Sequence, residues 1–60
     1  MDLYLIKTED GNYYATNGEN STQVMSKFKA VYDNRAIVAI KLIEVRKLVE
    51  LEDNDDIIFF

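Results

Sequence analysis

Ser21 and Thr22 are the side chains best suited to act as nucleophiles, and the usual means of activating them is missing. The 60 residues contain no histidine and no cysteine. The commonest general base, the commonest metal ligand and the thiolate nucleophile are therefore all missing. Lysine or a carboxylate can substitute as a base in principle, but no constellation of residues here supports it. The run Glu52-Asp53-Asn54-Asp55-Asp56 gathers oxygen ligands. A calcium loop, however, needs alternating ligands, a central glycine and a glutamate at its twelfth position, none of which follows. The run reads as a solvated acidic turn. Gly11 and Gly18 stand alone and make no phosphate-cradling loop. The expectation is a protein without catalytic residues, metal or cofactor, whose chemistry is recognition.

Recognition turns attention to the aromatics: Tyr4, Tyr13, Tyr14, Phe28, Tyr32, Phe59 and Phe60. They are either core or an interface, where tyrosine and phenylalanine concentrate binding energy. In a small dimer the two roles merge, because a pocket between subunits is lined by residues that would otherwise be core. Eleven acids against seven bases give a net charge of −4. That balance disfavours contact with nucleic acid, whose phosphates demand cations. It suits solubility, or binding to a protein that itself binds nucleic acid. Lys27 and Lys29 beside Phe28 are a weak nucleic-acid footprint on an acidic chain.

Sixty residues make a single domain, 1–60, and a chain so short buries only about 60 % of its unfolded surface. Disulfides are excluded, so association is the remaining route to stability. With 48 % hydrophobic residues, a homodimer is expected. The start, Met1-Asp2-Leu3-Tyr4-Leu5-Ile6-Lys7, lacks the basic and long apolar segments of a signal peptide. No apolar run approaches the roughly 18 residues that span a bilayer. A soluble, cytoplasmic protein is expected.

The elements that would position these residues follow from pattern. Residues 2–8 are rich in β formers and predict a strand. Asp10-Gly11 suits a two-residue hairpin turn, with Tyr13, Tyr14, Ala15 and Thr16 returning as a second strand. Asn20 and Gln23 resemble a capping box, with Ser21 as the alternative cap. Val24, Met25, Phe28, Val31 and Tyr32 recur at helical spacing, which predicts a helix over about 21–33 stopped by a left-handed Asn34. Residues 36–51 suit a helix by their Ala, Leu, Glu, Lys and Arg content. Their three isoleucines and three valines decide for a strand, with Ile43, Val45, Lys47, Val49 and Leu51 on one face. Ile57-Ile58-Phe59-Phe60 is expected to form a short fourth strand or to cover a neighbour. The fold class is α+β, an antiparallel sheet with one helix in the order β-β-α-β.

Three segments carry a family likeness. Asp10-Gly11-Asn12-Tyr13-Tyr14 resembles the acidic hairpin turn and paired tyrosines of the small uracil-DNA glycosylase inhibitors of Bacillus phages with protein-primed genomes. Ser26, Phe28, Tyr32 and Asn34 resemble that family's helix in spacing, and Ile40-Lys41-Leu42 resembles the start of its last strand. The likeness covers about residues 5–48. It implies a homodimer that mimics DNA and blocks the DNA site of a host uracil-DNA glycosylase. Such enzymes push an apolar loop residue into the duplex as the uracil flips out. The family's dimer is understood to trap that residue in an apolar pocket.

On this resemblance Phe28 is the pocket aromatic, with Tyr32 beside it and Tyr13 and Tyr14 from the hairpin. Met25, on the same helix face, completes the expected partner-binding set. Glu9, Asp10, Glu19 and Asp33 are the candidate phosphate mimics. Lys29 and Ala15 depart from the family, which carries acids at both places. These departures favour two rivals: another small phage inhibitor of a host nucleic-acid enzyme (anti-CRISPR or polymerase-binding), or a structural or regulatory dimer.

Overall fold

In the computed structural model, which describes residues 2–53 and 56–60, the chain opens with the expected hairpin. β1 (Asp2–Thr8) pairs antiparallel with β2 (Tyr13–Gly18), from Lys7 opposite Tyr13 to Asp2 opposite Gly18. The turn differs from the predicted two-residue form. Gly11 N–H donates to the Thr8 carbonyl at 3.0 Å, and Thr8 N–H donates to the Asn12 carbonyl at 3.1 Å. Glu9 and Asp10 therefore hold the tip, and Gly11 follows in the left-handed region with φ 87°. A two-residue type I′ turn needs positive φ at both tip residues. Asp10 has negative φ, so the glycine instead closes a three-residue loop.

α1 (Ser21–Val31) begins where the sequence placed it. The Asn20 Oδ1 accepts from Gln23 N–H at 2.8 Å, while Gln23 Oε1 accepts from Glu19 N–H at 2.7 Å. Two otherwise orphaned N–H groups are satisfied reciprocally, one residue offset from the standard box. The helix ends at Tyr32, whose φ −128° and ψ 70° redirect the chain. No non-glycine residue among those described has positive φ, so Asn34 is not the left-handed stop.

The largest departure lies in residues 36–51. β3 (Ile37–Leu42) is a strand, but the chain then turns into a second helix, α2 (Val45–Glu52). β3 pairs antiparallel with β1, and Leu42 stands opposite Tyr4 near the end of that partner. A longer strand would have no ladder to join. The helix formers of 45–52 instead place Leu48 on the open sheet face over Leu5 and Ala15, a burial that outweighs the β preference of two valines. The register shift between Lys7 and Thr8 leaves Val38 as the extra residue. That bulge turns Ile37 to the same face as Ile40.

β4 (Ile57–Phe59) is the expected short strand, but it runs parallel to β2. The sheet order is β3-β1-β2-β4, mixed rather than purely antiparallel. The reason is the second helix: α2 carries the chain across the sheet, and a crossover delivers the next strand in the same direction. With α1 on one face and α2 on the other, the sheet separates two cores. Tyr4, Ile6, Tyr14, Val24 and Phe28 form one. Leu5, Ala15 and Leu48 form the other. No helix among the described residues is long and apolar enough to cross a membrane.

Candidate functional site

Adjacent residues of a strand face opposite ways, and this separates the two tyrosines of β2. Tyr14 turns to α1 and is buried, whereas Tyr13 joins the α2-side cluster, with the Lys7 amine 5.7 Å from its ring centre. Phe28 and Tyr32 come from successive turns at the end of α1 and meet Tyr14. Ring centroids are 5.0 Å apart for Tyr14–Phe28, 4.9 Å for Tyr14–Tyr32 and 5.2 Å for Phe28–Tyr32. All lie within the range of favourable aromatic pairing. Three of the five expected partner-binding residues thus converge into one aromatic box. Phe28 is fully buried, at 0 % exposure. Met25, at 40 % exposure, lies outside the box and lines a separate groove between α1 and β3 with Lys29, Ile37 and Val38.

A fourth ring completes the box. Phe60, just beyond β4, sits 6.5 Å from Tyr14, 5.7 Å from Phe28 and 6.0 Å from Tyr32, edge-on to each. Its main-chain N–H donates to Ala15 O at 3.1 Å, and the Thr16 hydroxyl donates to its main-chain oxygen at 2.7 Å. The Lys27 amine donates to Thr16 Oγ1 at 2.7 Å and to Asn17 O at 3.3 Å, and it stands 5.8 Å from the Phe60 ring centre. Within this cluster the Tyr14 hydroxyl is buried and has no hydrogen-bond partner among the described residues.

The expected acids divide by location, and all four are exposed. Glu9 and Asp10 cap the hairpin, and Glu9 N–H donates to Ala36 O at 3.0 Å, which draws the hairpin against the α1–β3 connection. Asp33 lies in that connection, so these three share one end of the molecule. Glu19 follows β2 at the other. Arg35 joins the acidic end to the box. Its guanidinium donates to Asp10 Oδ2 at 2.8 Å and lies 5.5 Å from the Tyr32 ring centre, within cation–π range. Asp10 also accepts from the Thr8 hydroxyl and from the main-chain and side-chain N–H groups of Asn12. The Thr8 bond does most to hold its pKa below the ordinary 3.8. Partial desolvation opposes the shift, and Asn12 and Arg35 add to it. Asp10 is thus fully ionised but already engaged, which leaves Glu9, Asp33 and Glu19 as the acids without a side-chain ion pair in the described structure.

Sequence reasoning missed Phe60, Lys27, Thr16 and Arg35 as members of the site. A signal existed for two of them: Phe60 lies in a conspicuous apolar run, and Lys27 neighbours Phe28. Among the described residues no group of three or more His, Cys, Asp and Glu comes together to hold a metal ion. No family model, curated protein or solved structure matches the chain.

Proposed function

We propose that this protein is a stoichiometric inhibitor of a host uracil-DNA glycosylase, acting as a homodimer. It occupies the enzyme's DNA site and holds the apolar loop residue that the enzyme would otherwise insert into the duplex. The observation that carries this reading is the convergence of Phe28, Tyr32 and Tyr14 into one box, with Arg35 against Tyr32 linking it to Asp10. The net charge of −4 suits an enzyme surface built to bind a polyanion. Association is supported by the outer edge of β3, which pairs with no strand of the described chain, and by Val38 and Leu42 exposed along it. Titration of the purified protein into a uracil-excision assay should abolish activity at a fixed protein-to-enzyme ratio. Sedimentation equilibrium at micromolar concentration should return twice the chain mass. No inhibition at large excess would overturn the reading.

A second reading, a plain structural or regulatory dimer, is favoured by the full burial of Phe28 and Tyr14 in the single chain. On that reading the box is core and nothing more. The same titration separates the two.

A further inference from the structure

The box is filled by the chain itself. Phe60 is only partly buried, whereas Tyr14 and Phe28 beneath it are almost fully enclosed. It is brought there by a strand of three residues at the edge of the sheet. We propose that the Tyr14–Phe28–Tyr32 box, the receptor proposed for a partner's apolar loop residue, is closed in the free protein by one of the chain's own side chains. Phe60 is its resident occupant and must swing out before the partner residue enters.

Three observations carry this. First, the latch is slight. Beyond the short parallel ladder, the polar hold on Phe60 is one N–H to Ala15 O, one hydroxyl from Thr16 and the Lys27 amine over its ring, and the rest is edge-on packing that another apolar side chain can replace. Short edge elements with few hydrogen bonds are the first to open locally. Second, Phe60 is an incomplete ligand. A phenyl ring offers no good acceptor, and the Tyr14 hydroxyl buried in the same cluster goes unpaired. An incoming loop brings backbone carbonyls along with its apolar side chain, so it can supply the missing acceptor and displace Phe60 at a net gain. Third, β2, α1 and its C-cap Tyr32 supply the box without β4, so its walls persist when Phe60 leaves. Phe60 thus sets a threshold: only a partner that provides both the apolar side chain and the acceptor competes with it.

The proposal deepens the glycosylase-inhibitor reading and rests on it for the partner's identity, but the plug has its own test. Phe60→Ala should open a cavity that binds toluene, seen as NMR shifts of the Tyr14, Phe28 and Tyr32 ring protons, while the unaltered protein binds none. No toluene binding by a folded Phe60→Ala would overturn the plug. The converse variant locks it in place. Ala15 and Phe59 are register partners in the parallel β2–β4 pair, and neighbouring strands lie within disulfide reach. An Ala15→Cys/Phe59→Cys protein should therefore hold β4 closed when oxidised. In uracil excision the oxidised form should inhibit more weakly than the same protein after reduction. Phe60→Ala should inhibit about tenfold more tightly than the unaltered chain, because it no longer spends most of its time in the filled state. Equal inhibition by oxidised and reduced forms overturns the plug and leaves the inhibitor reading standing. If every variant fails to inhibit, the inhibitor reading falls, and toluene binding alone decides the plug.

Discussion

Replacing Tyr14 with phenylalanine should stabilise the protein, although it alters one of the most deeply buried side chains. The hydroxyl lies in the aromatic cluster without a hydrogen-bond partner among the described residues. Tyr14 is 1 % exposed, so the group has left water and gained nothing in return. A buried unsatisfied donor costs about 1–3 kcal/mol. Tyr14→Phe keeps the ring and its contacts with Phe28, Tyr32 and Phe60. After allowing for a small void, a gain of about 1–2 kcal/mol is expected. At about 0.05–0.15 kcal/mol per residue, a 60-residue chain has a total stability of about 3–9 kcal/mol. The gain is then a sizeable fraction of the whole. Thermal melting followed by circular dichroism should show Tm rising by about 4–8 °C for each kcal/mol. Both proteins must be melted at one concentration, because association makes Tm concentration-dependent. A Tm that falls by several degrees would refute the reasoning, since it would mean that the hydroxyl is making a bond in solution.

Other expectations follow from particular contacts. Gly18→Ala should cost about 1–3 kcal/mol in urea unfolding, because the added methyl would stand 2.4 Å from Cγ2 of the fully buried Val24 and something must shift. Leu48→Ala should cost about 2–4 kcal/mol, while Val49→Ala, at a position 52 % exposed, should cost under about 1 kcal/mol. A strand over these residues with Val49 turned inward would give the reverse ranking. The lowered pKa of Asp10 means that its bonds stabilise the fold fully above the ordinary value of 3.8 and are lost as pH falls through the lower folded value. Melts should therefore show Tm falling with pH in that acid window, and Asp10→Asn should flatten this part of the profile.

The hairpin, the first helix and its Asn20 cap were legible because each rests on local chemistry: a glycine at a turn, a side-chain acceptor at a helix start, a 3.6-residue apolar stripe. Residues 45–52 were not, because their pattern is compatible with both periods. The choice was made by Leu5 and Ala15, which lie far earlier in the chain and needed a cover. Phe28 and Tyr32 share one apolar face of the helix, while Tyr14 joins them only through the family resemblance. The same resemblance brings in Tyr13, whose adjacency to Tyr14 in a strand implies the opposite face. Phe60 entered the box through a parallel pairing that depends on the second helix, so its position could not be read before that helix was known. Arg35 lies in a connection whose course is set by long-range contacts, and no local pattern marks it.

A sheet with a core on each side gives up the usual safeguard of strand alignment. Where one face meets water, a slip by one residue drives apolar groups outward and polar groups inward, and the error is rejected on polarity. Here a slip of β1 would exchange Tyr4 and Ile6 for Leu3 and Leu5, and all four are apolar. Over these four positions polarity cannot tell the two alignments apart, and only Lys7 and Thr8 at the strand's end can. Size helps as well: the α1 side accepts the rings of Tyr4 and Tyr14, while on the α2 side the centre of β2, beneath Leu48, is the small Ala15. Over the middle of the strand, correct alignment is therefore encoded by shape, and it is reinforced by the fixed loop at Gly11, the Val38 bulge and the Arg35–Asp10 clasp. Replacing Ala15 with a side chain as large as leucine would do more than crowd one core, because it would weaken the steric distinction that keeps each strand on its proper side.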